Sequence, residues 1–221
     1  DRYYVVVQDT PNRFGYVEHI DMEALQELAE KSGSELYLVA LPGQYVGPAA
    51  PLLRVMSLPR SACLDAIRDA FSISASRSFD QDPRFGLCVL SEIASRALSP
   101  AVNDPGTAID VLGRGTRVLS LWAENTSYTE DLVEEKIRFT NVHVPAIELE
   151  DLFDDFFIPI ARDGAGLVEV GIHLQKMLHT LASLGDERYR LAAARHSAQA
   201  LSRSQVALTL TDDLVRIQHA A

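Results

Sequence analysis

One change of hydrophobic period constrains this chain more than any other feature. Before residue 58 the apolar residues come in short alternating runs, and from Ser61 onward they recur every three to four positions. Alternation lines one face of a strand, and a 3.6-residue period lines one face of a helix. The chain therefore reads as α+β: a small N-terminal β barrel or sandwich-like unit with one helix over 1–58, then a mainly α-helical bundle over 59–221. With 221 residues, 47% of them apolar, there is enough material to bury such cores.

In the first part, Tyr3–Val7 is rich in β-branched and aromatic residues, and T-P-N-R supplies a turn before G-Y-V-E-H-I-D, a second strand. Asp21 is placed to cap a helix from Met22 to about Lys31, with Gly33 as its stop. Glu35–Ala40 returns to strand, Pro42-Gly43 turns, and Pro51–Val55 gives another short strand. The run G-Q-Y-V-G-P-A-A-P-L-L-R-V resembles the glycine-valine-glycine-leucine turn of lipoyl-like barrel-sandwich folds. Those carrier domains present a modified lysine at a hairpin tip. Here the unit's lysine, Lys31, falls at a helix end, which speaks against a carrier role.

The second part is punctuated by R-A-L-S-P-A-V-N-D-P-G-T-A, Arg96 to Ala108. Asp82-Pro83 and Asp104-Pro105 are both helix starts, because an aspartate caps and a proline at the first helical position forfeits no useful N–H. The first of these helices runs to Leu98, with Phe85, Val89, Ile93 and Ala97 in one row and Leu90, Ala94 and Leu98 in the next, opposite Ser91, Glu92, Ser95 and Arg96. The second runs to about Glu124, and Gly113 and Gly115 inside it imply close packing against a neighbour. A short helix carrying Cys63, Ile67, Ala70 and Phe71 and ending near Ser72 precedes both. K-I-R-F-T-N-V-H-V, Lys136 to Val144, alternates like a strand, either paired with the N-terminal sheet or alone. Later helices carry Leu149–Ile160, Leu167–Leu184, Asp186–Ser204 and a last short one capped by Thr211.

The formal charge of −11 excludes a broad nucleic-acid surface and a polybasic lipid face. Cys63 and Cys88 sit in apolar patterns and read as buried free thiols, with no disulfide. No apolar run approaches the ~20 residues of a membrane helix. The sequence opens at Asp1 and enters a strand at once, which reads as a fragment or processed product.

No P-loop, dinucleotide fingerprint, nucleophile elbow or Cys/His pairing is present, so no catalytic residue, metal ligand or cofactor is assigned. The acidic residues Glu150, Asp151, Asp154 and Asp155 read as a solvated helix face, His19 as an exposed strand residue, His173 and His179 as lying on different faces of a helix, and His143 and His196 as having no visible partner. The two polar corners hold more polar types than capping needs. They supply the candidate cluster: Arg77, Asp80, Gln81, Asp82, Arg84, Ser99, Asn103, Asp104 and Thr107.

The same corners carry a family resemblance. R-S-F-D-Q-D-P-R-F-G-L-C-V-L-S-E-I-A-S-R-A-L-S-P-A-V-N-D-P-G-T-A, Arg77 to Ala108, resembles the signature region of a bacterial family of predicted membrane proteins, domain of unknown function 2254. G-Y-V-E-H-I-D, P-G-Q-Y-V and P-L-L-R-V precede it in the family's order, and the resemblance weakens after Pro145. It implies several transmembrane helices ahead of this region in the parent protein, and a bacterial membrane location. It brings no activity with it. The expected function is that of a soluble, non-catalytic domain for assembly, gating or ligand sensing, on the cytoplasmic side and homo-oligomeric, with a small ligand open. The alternative is a hydrolase-like or metal-dependent enzyme built on Arg77, Asp80, Asp82, Asn103 and Asp104, whose side chains would then converge and perturb one another.

Overall fold

The computed structural model describes residues 3–9, 14–56, 61–131 and 138–221. The chain is α+β and divides into two compact units, 1–85 with 135–146 and 86–134 with 147–221. The boundary expected at residue 58 falls inside the first unit. The T-P-N-R turn, and Lys136 and Ile137 of the expected strand, lie outside the described residues.

In the first unit, β1 (Tyr4–Val7), β2 (Gly15–Ile20), β3 (Leu36–Leu38), β4 (Tyr45–Val46), β5 (Pro51–Val55), β6 (Phe71–Ser74) and β7 (Val142–His143) form two sheets, ordered β1-β5-β3-β7 and β4-β2-β6. All pairings are antiparallel except β3 with β7, where Leu36 meets Val142 and Tyr37 meets His143. Two helices complete the unit, α1 (Met22–Ser32) and α2 (Ser61–Asp69). The Asp21 carboxylate accepts from the Ala24 N–H, and Gly33 takes the left-handed conformation (φ 61°) that a β-carbon resists. Val17, Ile20, Leu25, Leu36, Leu52, Leu53, Ile67 and Phe71 fill the core.

One expectation is corrected here. Phe71 does not end a helix. It opens β6, because it lies opposite Ile20 on β2 in an antiparallel ladder. The alternating F-S-I-S can satisfy its backbone only by reaching a strand more than fifty residues earlier.

The second unit is helical: α3 (Pro83–Ala97), which begins in the first unit, α4 (Pro105–Asp131), α5 (Leu149–Asp163), α6 (Val168–Leu184), α7 (Glu187–Ala207) and α8 (Thr211–Gln218). Leu152, Phe153, Phe156, Phe157 and Ile160 of α5 are fully enclosed. They pack with Leu112 and Leu119 of α4, Leu174, Leu178 and Leu181 of α6, and Tyr189, Ala192 and Ala193 of α7. Gly115 explains itself in this core, since a β-carbon there would lie 2.0 Å from Cζ of Phe156.

Here too the sequence pattern and the packing differ in places. On α3 the buried face is Leu87, Ser91, Ala94 and Ala97, while Ile93 is 45% exposed. Neighbouring helices select a face rotated from the one with the largest apolar side chains. On α8 the N-cap is Leu210, with Thr211 already helical. The two cysteines form no disulfide and are half-buried rather than enclosed.

Candidate functional site

The 77–85 corner is assembled in the first unit around Asp82, which is 3% exposed. Its Oδ1 accepts from the Phe85 N–H at 3.1 Å, capping α3. Its Oδ2 accepts from Nε of Arg77 at 2.7 Å and from Nη2 at the same distance. The Arg77 guanidinium also lies 4.9 Å over the Phe85 ring, which in turn stacks on exposed Phe79. Gly43, at φ 86°, closes the arrangement: a β-carbon there would meet Asp82 Oδ2 at 2.0 Å.

Gln81 acts as a second anchor. Its Oε1 accepts from the Ile20 N–H at 2.9 Å, and its Nε2 donates to the Ile20 carbonyl at 3.3 Å. A side-chain amide thus extends the end of β2 as a neighbouring strand would. Asp80 is exposed, with its own N–H donating to Ser78 Oγ. Arg84 is half-buried on the first turn of α3.

The 99–107 corner belongs to the second unit. Ser99 donates to the Arg96 carbonyl at 2.7 Å, and its own carbonyl accepts from the N–H groups of Val102 and Asn103. The Asp104 N–H returns to the Ala97 carbonyl at 2.8 Å, closing the end of α3. Asn103 turns the chain at φ 49°, a conformation asparagine tolerates better than most residues. Asp104 then caps α4: Oδ1 accepts from the Thr107 N–H at 3.1 Å and Oδ2 from the Thr107 hydroxyl at 2.6 Å. The Thr107 hydroxyl, then its N–H, holds the Asp104 carboxyl below its ordinary pKa. The structure therefore joins Arg77, Gln81 and Asp82 through one unit and Ser99, Asn103, Asp104 and Thr107 through the other. In these two groups the Asp82 and Asp104 carboxylates serve as helix caps, and Asp82 also pairs with Arg77.

A third polar group joins residues that the sequence pattern leaves apart. Glu150 and Asp154, one turn apart on α5, both pair with Arg195 of α7, and His196 stands beside them. The imidazole is 2% exposed and packs against Phe153 and Phe157 at ring separations of 5.7 and 5.8 Å. Burial, helped by the Arg195 charge, pulls its pKa down to about 4 against the pull of Asp154 and Glu150. At neutral pH the ring is uncharged. The acidic run on α5 is thus not wholly a solvated face. Two of its members are paired across forty-one to forty-five residues of sequence. His143 also has partners, Glu35 at 2.7 Å and a stacked Tyr37 ring at 4.4 Å.

These features describe a two-unit α+β chain with capped corners, and among the described residues no helix is long and apolar enough to cross a membrane. The family described as predicted membrane protein, domain of unknown function 2254, matches over residues 5–180, and the chain belongs to it. It is 36% identical over 123 residues to uncharacterized proteins of Mycobacterium bovis and Mycobacterium tuberculosis, an alignment covering 49% of this chain and 22% of theirs. The chain therefore spans well under half of those relatives' length. No solved structure matches it.

Proposed function

We propose that this chain is the water-facing portion of an integral membrane protein and serves assembly, gating or ligand sensing rather than catalysis. The family match carries the reading, together with described helices that are all too short or too polar to span a bilayer. The capping geometry at Asp82 and Asp104 supports a non-catalytic role, because both carboxylates are already committed to helix starts. Exposed apolar side chains on the second unit, Leu191, Val206 and Leu210, support self-association. We place the domain on the cytoplasmic side, consistent with two cysteines that form no disulfide.

Two experiments test this. Alkaline carbonate washing should leave the full-length parent in the membrane pellet and release this chain when it is made alone; release of the full-length protein refutes membrane anchoring. Native mass spectrometry of the chain should give a defined oligomer, or a retained small molecule lost on Asn103→Ala or Asp104→Ala. A bare monomer in both the chain and the parent refutes assembly and sensing together.

A further inference from the structure

Glu150 and Asp154 approach from α5 and His196 from α7, and their donor atoms lie within 4.8 Å of one another. All three meet a single atom. Nη2 of Arg195 contacts Glu150 Oε2, lies 2.6 Å from Asp154 Oδ1 and 3.0 Å from His196 Nε2. The guanidinium can only donate, whereas His196 Nε2, which also lies 3.1 Å from Asp154 Oδ1, accepts from Arg195 in one tautomer and donates to Asp154 in the other. Two carboxylate oxygens and one imidazole nitrogen converge on one point, and the protein's own cation stands there.

Arg195 is poorly matched to that place. Its Nε is buried without a hydrogen-bond partner. Its side chain is 36% exposed, which gives the guanidinium a way out toward solvent. The imidazole, by contrast, is held in the core by two phenylalanine rings and cannot turn away. A fixed buried donor, two adjustable carboxylates and a displaceable cation form the donor set of an ion site.

We propose that Glu150 Oε2, Asp154 Oδ1 and His196 Nε2 bind a divalent transition-metal ion of the zinc class, with Arg195 swinging outward as the ion enters. The mixed donor set selects the class, since one imidazole with two carboxylates suits zinc, whereas calcium and magnesium take oxygen ligands alone. Bonds of ~2.1 Å require the carboxylates to draw inward, and their side-chain exposures of 52% and 40% permit it. Two carboxylates neutralise a doubly charged ion, whereas Arg195 leaves one negative charge over.

Calorimetric titration of the chain with zinc ion tests this. One ion should bind per chain. Arg195→Met should bind roughly tenfold tighter or better, because the resident competitor is gone, and Glu150→Gln roughly tenfold weaker or worse. Glu150 is exposed, so its variant folds even where a His196 variant does not. The histidine nitrogen resonances should identify His196 Nε2 as the bound atom. Absence of stoichiometric binding by both the wild type and Arg195→Met overturns the proposal. So do equal affinities of those two proteins, or an undiminished affinity in Glu150→Gln, since the ion would then sit elsewhere.

Discussion

Gly113 and Gly115 lie two residues apart on α4, yet they should respond in opposite directions to one added methyl group. Alanine is favoured over glycine in a helix interior by ~1 kcal/mol, and that gain applies to both. At Gly113 the new β-carbon meets nothing within 4 Å, so Gly113→Ala should stabilise the protein by about 1 kcal/mol. At Gly115 it would stand 2.0, 2.4 and 2.5 Å from three ring carbons of Phe156. That ring is completely enclosed and sits edge-on to Phe157 at 4.9 Å, so it has nowhere to retreat. Overpacking of this kind costs ~1–3 kcal/mol and occasionally more. With the ring tip needing to move by more than 1 Å, the upper part of that range applies, leaving Gly115→Ala destabilised by about 2 kcal/mol net. Urea unfolding followed by helical circular dichroism should place the two midpoints on opposite sides of the wild type with unchanged slopes. In thermal melts the same differences are roughly 3 °C upward and 6 °C downward. If Gly115→Ala is as stable as the wild type, the packing of α4 on α5 described above is wrong.

Asp82→Asn should destabilise the first unit by about 1–3 kcal/mol, because a buried carboxylate that accepts from the Arg77 guanidinium becomes a neutral amide; urea midpoints reporting on that unit check this. Tyr189 donates from its hydroxyl to the Leu119 carbonyl at 2.9 Å, and burial raises that hydroxyl's pKa to about 12. Tyr189→Phe should therefore cost ~1–2 kcal/mol by orphaning a buried carbonyl, measured by the same unfolding titration. His196 has a folded-state pKa of about 4, below its unfolded value of 6.5, so the unfolded chain binds more protons between those values. Stability should then rise with pH across that window, by up to ~1.4 kcal/mol per unit, and be lost as pH falls through it. Denaturation midpoints between pH 4 and 7 should show this slope, and a folded His196→Gln variant should flatten it.

The parts of the fold that follow from local chemistry were legible in the sequence. Asp21 with Gly33, Asp82 with Pro83, and Asp104 with Pro105 mark helix ends through bonds spanning three or four residues, and each boundary falls where the pattern puts it. What failed depended on distant partners. Ser91 is buried and Ile93 exposed because neighbouring helices, not hydrophobicity alone, select the inward face of α3. Phe71 became a strand residue because β2 offered an edge. The Arg195–His196 pair carries no signal of its own, since its meaning depends on Glu150 and Asp154 one helix hairpin away. Within the 77–85 corner, the capping role of Asp82 was readable. The Gln81 clasp on Ile20 was not, because nothing in the spelling of a glutamine names the strand it will extend.

The return of β7 to the first unit has a consequence for how the protein is made. Its partner β3 is complete by Leu38, but Val142 leaves the ribosome only after α3 and α4 have been synthesised. At ~5–20 residues per second, the four-stranded sheet waits roughly 5–20 s with one edge open. During that interval the nascent chain exposes the backbone of Leu36–Leu38 to any extended segment that can pair with it. Closure of that edge therefore waits on residues 142 and 143, which ties completion of the first unit's sheet to synthesis of the intervening helices.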